Sequence, residues 1–172
     1  KPLISYIVES TVKANIFDDI YINSEAGIFE EIARKYGVKF YKRSNYLASD
    51  QATNDDFTLD FINNVECDLL IQLLATSPFI SPKEIQQFVK QMDEIKCETF
   101  ISVKKNKIEC IYDGIPINFD QKEQTPPSQL LKPIQSYACG LMGWDSKRFK
   151  MNMDKYGAAY HGGDGTIGYF EL

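Results

Sequence analysis

Apolar and polar positions along the chain follow two rhythms that alternate. Leu3, Ile4, Ile7 and Val8 recur at helical spacing, which predicts a helix from Pro2 to about Val12, with Pro2 at a first-turn position where its missing N–H costs nothing. Asp19 to Asn23 is a short apolar strand. Ile28 to Tyr36 is an amphipathic helix with Ile28, Ile32 and Ala33 inward, closed by Gly37. Val38 to Tyr41 is the next strand. A helix follows from Asn54 to Asn64, with Asn54 as its cap and Asp55 and Asp56 opposing the helix dipole. Asp68 to Leu74 is almost wholly apolar, as a parallel strand covered on both faces would be. Ser81 caps a helix from Pro82 to about Glu94, and Thr99 to Val103 is a strand.

Strand and helix in turn at short spacing predict βαβ units: an α/β fold with helices on both faces of a parallel sheet. After Lys104 the pattern loosens. Lys104 to Lys107 reads as a polar turn between strands, residues 113–135 as irregular connection, Ser136 to Trp144 as a late strand and Ile167 to Leu172 as the start of another. No repeat or second domain is visible, so residues 1–172 form one domain.

Composition narrows the field. The 172 residues are 44% hydrophobic and 13% aromatic, enough to bury a core. The formal net charge of −5 disfavours binding to nucleic acid or to an anionic membrane surface. No apolar run approaches the roughly 18 residues of a spanning helix. Cys67, Cys97, Cys110 and Cys139 are scattered and His161 is the single histidine, a poor ligand set for zinc. Free thiols suit a reducing cytoplasm. Gly163-Asp-Gly165-Thr-Ile-Gly168 has the spacing of a dinucleotide fingerprint, but it runs into a strand-like segment rather than a helix, so it is not assigned as one. Asp164 within it is a turn residue.

In open parallel sheets, ligands bind beyond the carboxyl ends of the strands. Three such ends carry polar groups: Asn23-Ser24-Glu25, then Lys42 to Asn45 with Ser49-Asp50, then Ala75-Thr76-Ser77-Pro78. Arg43 is a planar five-donor group suited to a phosphate or a base carbonyl, or else a solvated surface residue. Asn54 is a cap, a ligand contact, or both. Thr76-Ser77-Pro78 is a turn or a rim of a site. Gln72 is an amide inside an apolar strand, and needs a partner either in a neighbouring loop or in a ligand.

Three stretches carry a resemblance. Tyr21 to Phe40, Arg43 to Asp50 and Leu73 to Phe79 resemble the sugar-activating cytidylyltransferases, and among them the acylneuraminate cytidylyltransferases. The likeness extends from residue 1 to about 104. It implies a Rossmann-like three-layer α/β/α fold with a mainly parallel sheet, of the nucleotide-diphospho-sugar transferase type. It also implies a reaction in which a sugar-acid hydroxyl attacks the α-phosphate of CTP, giving a CMP-sugar and pyrophosphate, with Mg²⁺ as cofactor. A cytoplasmic homodimer serving polysaccharide biosynthesis is implied too, with the 113–135 segment and the Tyr137–Trp144 strand as candidate interface.

Carried over by residue, Arg43 matches the family arginine that reads the base, and Ala52 a base-pocket position. Asn54 stands where relatives often have Ser. Asn23-Ser24-Glu25 replaces a Ser-Thr-Asp-like strand end, so Ser24 joins Arg43, Ala52 and Asn54 as a nucleotide-binding candidate. Where relatives carry Gln just before the Pro-Thr-Ser-Pro segment, this chain has Leu74, with Gln72 two residues earlier on the same strand face. Gln72, Thr76, Ser77 and Tyr137 are therefore the sugar-binding candidates. Cys139 replaces a typical Asn, and an arginine expected near Pro127 is absent. The family's nucleotide loop would precede Lys1 and its metal-binding Asp pair would follow Leu172. The domain is thus expected to be incomplete at both termini and inactive as it stands, with no catalytic residue or metal ligand assigned within it. Two alternatives stand beside the leading reading: a transferase for another sugar or polyol, and a non-catalytic nucleotide- or partner-binding paralogue.

Overall fold

In a computed structural model, which describes all residues from Lys1 to Leu172, five helices and eight strands follow in chain order. Helix α1 spans Ile4–Ala14 and is capped by Leu3, so Pro2 lies just outside it. Strand β1 (Tyr21–Ser24), helix α2 (Ile28–Tyr36) and strand β2 (Lys39–Lys42) form a βαβ unit whose strands pair in parallel, Asn23 opposite Tyr41. Gly37 at φ 67° ends α2, a conformation that glycine adopts without strain.

Helix α3 (Asn54–Asn64) is capped by Thr53 rather than Asn54. The Thr53 hydroxyl accepts from the backbone N–H of Asp56, and the Asp56 carboxylate accepts from the Thr53 N–H at 2.7 Å. A full capping box satisfies two end groups, which Asn54 alone could not. Strand β3 (Leu69–Leu73) leads to α4 (Pro82–Ile95), where Ser81 and Glu84 make a second capping box.

Strand β4 runs Thr99–Asn106, so Lys104 to Asn106, read from sequence as a turn, continue the strand. They pair with Gln135, Ser136 and their neighbour across the sheet, and pairing outweighs their polarity at this exposed end. Within the segment expected to be irregular, Ile111–Tyr112 (β5) and Ile115–Pro116 (β6) form a hairpin. Its turn is Asp113-Gly114, both at positive φ, as a tight hairpin loop requires. Strand β7 (Ile134–Asp145), helix α5 (Ser146–Tyr156) and strand β8 (Ile167–Glu171) complete the chain. The residues 163–168 enter β8 and open no helix.

The main sheet has the order β3-β7-β4-β8. β4 and β8 are parallel, and β7 runs antiparallel to both β3 and β4. Strands β3, β4 and β8 therefore point one way and β7 alone opposes them. Helices α1 and α4 cover one face, where Ile7, Phe88, Phe100, Leu141 and Phe170 pack together. Helix α2 lies on that face too, against Val8 of α1. Helices α3 and α5 cover the other, around Ile62, Ile101, Met142, Trp144 and Phe149. The result is the expected α/β/α sandwich. The pair β1-β2 is not hydrogen-bonded to the rest, so β3 has a neighbour on one edge only. This corrects the reading of Asp68 to Leu74 as covered throughout: Leu69 is 42% exposed.

Candidate functional site

A cleft of about 810 Å³ separates β1 from β3. Helix α1 lines it with Ile4, Ile7, Val8 and Thr11, and α3 with Phe57, Thr58 and Phe61. Asn23, Arg43, Asn54 and Gln72 also line it, so four polar candidates from separate elements meet in one place. All lie at strand ends or a helix start, except Gln72, which sits inside β3.

Arg43 is oriented by its surroundings. Its Nη2 and Nε donate to Glu25 Oε2 at 3.0 and 3.2 Å, and its guanidinium lies 5.7 Å from the Phe57 ring centroid. The backbone N–H of Glu25 and then Arg43 hold the Glu25 carboxyl below the usual carboxylate range. A carboxylate fixed on one edge of the fork leaves the remaining donors of the arginine available. Ser24 is buried beside it, its hydroxyl accepting from the Ala26 N–H and donating to Glu25. Ser24 therefore shapes this turn and does not line the cleft.

Three buried polar atoms in the structure have no hydrogen-bond partner: Asn23 Oδ1, Thr58 Oγ1 and Gln72 Oε1. All three residues line this one cleft. An unpaired buried group of this kind costs about 1–3 kcal/mol, so clustering of three marks a place where donors are missing.

The remaining candidates lie apart. Ala52 is half-buried just before α3, outside the cleft lining. Thr76 is exposed and Ser77 sits in the turn after β3, its carbonyl accepting from the Ile80 N–H. Tyr137 is on β7, its ring 5.5 Å from that of His161. Burial pushes its hydroxyl pKa up. Between Tyr137 and Met142 the pairing with β4 shifts register, and Cys139 takes a positive φ of 53°. Such a bulge re-aims the side chains beside it.

Sequence reasoning passed over the group that ties these parts together. Asp55 Oδ1 accepts from the backbone N–H groups of Ala159 and Tyr160 at 2.6 and 2.7 Å. The carbonyl of Tyr160 in turn accepts from Trp144 Nε1 at 3.0 Å. The start of α3, which carries Asn54, is thereby fixed to the loop that carries His161. The only signal in the sequence was a second acid in the first turn of a helix that needed one for its box.

Magnesium would need a set of carboxylates or similar ligands, and the residues present do not fit it. No group of three His, Cys, Asp or Glu side chains converges anywhere in the chain. At the rim, Glu25 is engaged by Arg43, and Asp55 by two backbone N–H groups.

Comparison with known proteins decides the family. Residues 1–112 match the family model for cytidylyltransferases. The chain belongs to that family. It is 26% identical over 141 residues to the N-acylneuraminate cytidylyltransferase of Escherichia coli O18:K1:H7, covering 80% of this chain and 29% of that protein. It is 30% identical over 93 residues to a pseudaminic acid cytidylyltransferase of Campylobacter jejuni, covering 51% of this chain and 40% of the relative. The chain thus spans less than half the length of these curated relatives. Among solved structures, a CMP:2-keto-3-deoxy-manno-octonic acid synthetase complexed with CTP superposes with a TM-score of 0.72 at 14% identity, covering all of this chain and 79% of the other. At that identity the likeness establishes the nucleotidyltransferase fold. No helix of this cytidylyltransferase chain is long and apolar enough to cross a membrane.

Proposed function

We propose that the protein to which this chain belongs transfers CMP from CTP to a sialic-acid-like, nonulosonic sugar and releases pyrophosphate. The observation that carries this reading is the convergence of Arg43, Asn54, Asn23 and Gln72 on one cleft at the carboxyl ends of β1 to β3 in a chain of this family. The names of the relatives support the sugar class, since one acts on an acylneuraminate and another on pseudaminic acid.

In this reading Arg43 presents its free N–H donors to the carbonyl face of cytosine, with Glu25 holding the guanidinium in plane. Asn54 offers an amide to the base edge, whereas Ala52 lies outside the cleft lining. The unpaired oxygens of Asn23 and Gln72 accept from ligand N–H or O–H groups. Gln72 marks the sugar side of the cleft, with Thr76, Ser77 and Tyr137 outside its lining. No three His, Cys, Asp or Glu side chains converge at the cleft, and in this reading the 172-residue chain alone does not turn over CTP. We assign the cytoplasm as its place of action because all four cysteines are free thiols.

A homodimer completes the proposal, with a revised surface. Trp144, Met142 and Leu141 are buried in the sheet, so most of the Tyr137–Trp144 strand cannot serve. The β5-β6 hairpin can: Ile111, Tyr112 and Ile115 are 59, 76 and 68% exposed, an apolar patch of the kind that marks an interface.

The test is pyrophosphate release by the longest natural chain with CTP, Mg²⁺ and a panel of sugar acids. Turnover with a nonulosonic acid supports the assignment. Turnover only with a shorter sugar acid or a polyol phosphate replaces the substrate class. CTP binding without turnover across the panel identifies a binding paralogue.

A further inference from the structure

Two sets of hydrogen bonds hold residues 157–166, the loop between α5 and β8. From beneath, Trp144 Nε1 donates to the Tyr160 carbonyl at 3.0 Å, and the buried Asn152 amide donates to the Gly162 carbonyl at 2.9 Å. These ties come from β7 and α5, the elements that lead into the loop. The other set comes from across the molecule: Asp55 Oδ1 accepts from the N–H groups of both Ala159 and Tyr160. Ala159 and Tyr160 are 2% and 6% exposed, so both amides depend on an internal acceptor. No other hydrogen bond joins α3 to this loop. The helix start does not need the Asp55 carboxylate either, because Thr53 and Asp56 complete the capping box without it.

The loop completes a row of rings. Trp144, Tyr160, His161 and Tyr137 follow one another with centroids 5.0, 5.5 and 5.5 Å apart. His161 is exposed and Tyr137 is 41% exposed, so the row opens to solvent, outside the lining of the cleft. On its other side, α3 turns Asn54, Phe57, Thr58 and Phe61 into the cleft. Asn54 and Asp55 share one peptide bond. The first turn of α3 is therefore a wall common to both places, with one residue on the cleft and the next on the loop.

We propose that Asp55 is a positioning residue that registers the His161–Tyr137 ring pair to the cleft, so that a cytidine nucleotide seated against Asn54 is reported at His161. This rests on the reading of the cleft as the nucleotide site. A ligand held by Asn54 fixes the first turn of α3, and Asp55 passes that placement to the loop through its bonds of 2.6 and 2.7 Å. Trp144 and Asn152 tie the same loop to the core, so a change at Asp55 is taken up between those anchors, where His161 lies. The role needs reach rather than charge. An asparagine at this position keeps an acceptor oxygen at the same distance from the backbone. A glutamate keeps the charge and carries it one methylene farther. Linkage is reciprocal, so a ligand bound at the two rings alters nucleotide affinity by the same factor.

His161 is the single histidine, so its Hε1 proton gives one NMR signal of its own. The test follows that signal as CTP is added to the wild type, Asp55→Asn and Asp55→Glu, with calorimetry on the same samples. In the wild type and in Asp55→Asn the signal should shift along a curve that saturates with the calorimetric affinity. In Asp55→Glu, CTP should still bind while the signal stays in place, and the Ala159 and Tyr160 amides should exchange about tenfold faster. A role in the helix dipole alone predicts the reverse order, with glutamate harmless and asparagine harmful, and that result overturns the proposal. Bound CTP that leaves the wild-type signal unmoved overturns it too, as does an unchanged response in Asp55→Glu. Absence of calorimetric CTP binding removes the nucleotide reading and this coupling together, an outcome distinct from bound CTP with a silent His161.

Discussion

Strands β3 and β4 are written in similar letters and live differently. Leu-Leu-Ile-Gln-Leu and Thr-Phe-Ile-Ser-Val are both apolar runs interrupted by a polar residue at the fourth position, the second also opening on Thr99. In β4 all five positions from Thr99 to Val103 are buried, and the polar fourth one has a partner: the Ser102 hydroxyl accepts from the Leu141 N–H at 3.0 Å. In β3 no position is fully buried, and Gln72 Oε1 has no partner. The difference is neighbours. β4 has a strand on each edge, β7 and β8, whereas β3 has β7 alone. Burial of a strand residue is decided as much by what flanks the strand as by the residue, and a run of leucines carries no record of which flank is filled.

Substitutions can break this contrast. Phe100→Ala removes a fully buried ring that packs 4.8 Å from Phe88, and should lower unfolding free energy by about 3–5 kcal/mol in urea titrations. A loss below about 1 kcal/mol would mean that β4 is no better packed than β3. At the cleft, Arg43→Ala should weaken CTP binding by about 1.5–3 kcal/mol while leaving the unfolding midpoint nearly unchanged, a split that calorimetry and denaturation measure separately. Unaltered CTP affinity would remove Arg43 from the nucleotide site. On the open strand, Leu69→Ala should cost only about 0.5 kcal/mol in the 172-residue chain, as surface changes do. The smallest effect is the response to acid. Glu25 at the cleft and Glu98 beside β4 both have carboxyl pKa values held low. Glu25 is held by its own backbone N–H and then Arg43, and Glu98 by the Thr166 N–H and then Arg148. A depressed native pKa gives stability that is present above the unfolded value of about 4.3 and lost as pH falls through the lower native value. Melting temperature should therefore drop below about pH 4, and Glu98→Gln should flatten that slope without altering CTP binding. Glu25→Gln should flatten it too, but with weaker CTP affinity.

Local chemistry made much of the first half legible. The caps at Ser81 and Gly37, the charge gradient along α2 and the apolar core of β3 are written within a few residues of where they act. Thr53-x-x-Asp56 is itself a capping signature and outranks Asn54, one residue later, as the start of α3. Two elements of the second half left signals that went unread. Asp113-Gly114 between Tyr112 and Ile115 is a hairpin turn, and Asp145 with Phe149, Asn152 and Gly157 frames α5. The site was harder. Arg43, Asn54 and Gln72 could be suspected as individuals, but their meeting depends on the gap between two sheets, which no local pattern encodes. Asp55 looked like a helix-dipole residue and turned out to hold a loop more than a hundred positions away. Side chains that bridge distant segments are invisible to any reading by periodicity.

The position of β7 has a consequence for how the chain is made. On the ribosome, β3 and β4 emerge first, but the strand that belongs between them ends at Asp145, long after β4 ends at Asn106. At typical synthesis rates that interval lasts about 2–8 seconds. During it, Leu69 to Leu73 and Thr99 to Val103 present apolar edges with nothing to join them, so a nascent chain stalled before Tyr137 should be a strong client for chaperones that bind exposed strands. Release past Asp145 should lower that dependence in one step, because β7 closes one edge of each strand at once, and the other edge of β4 then waits only for β8.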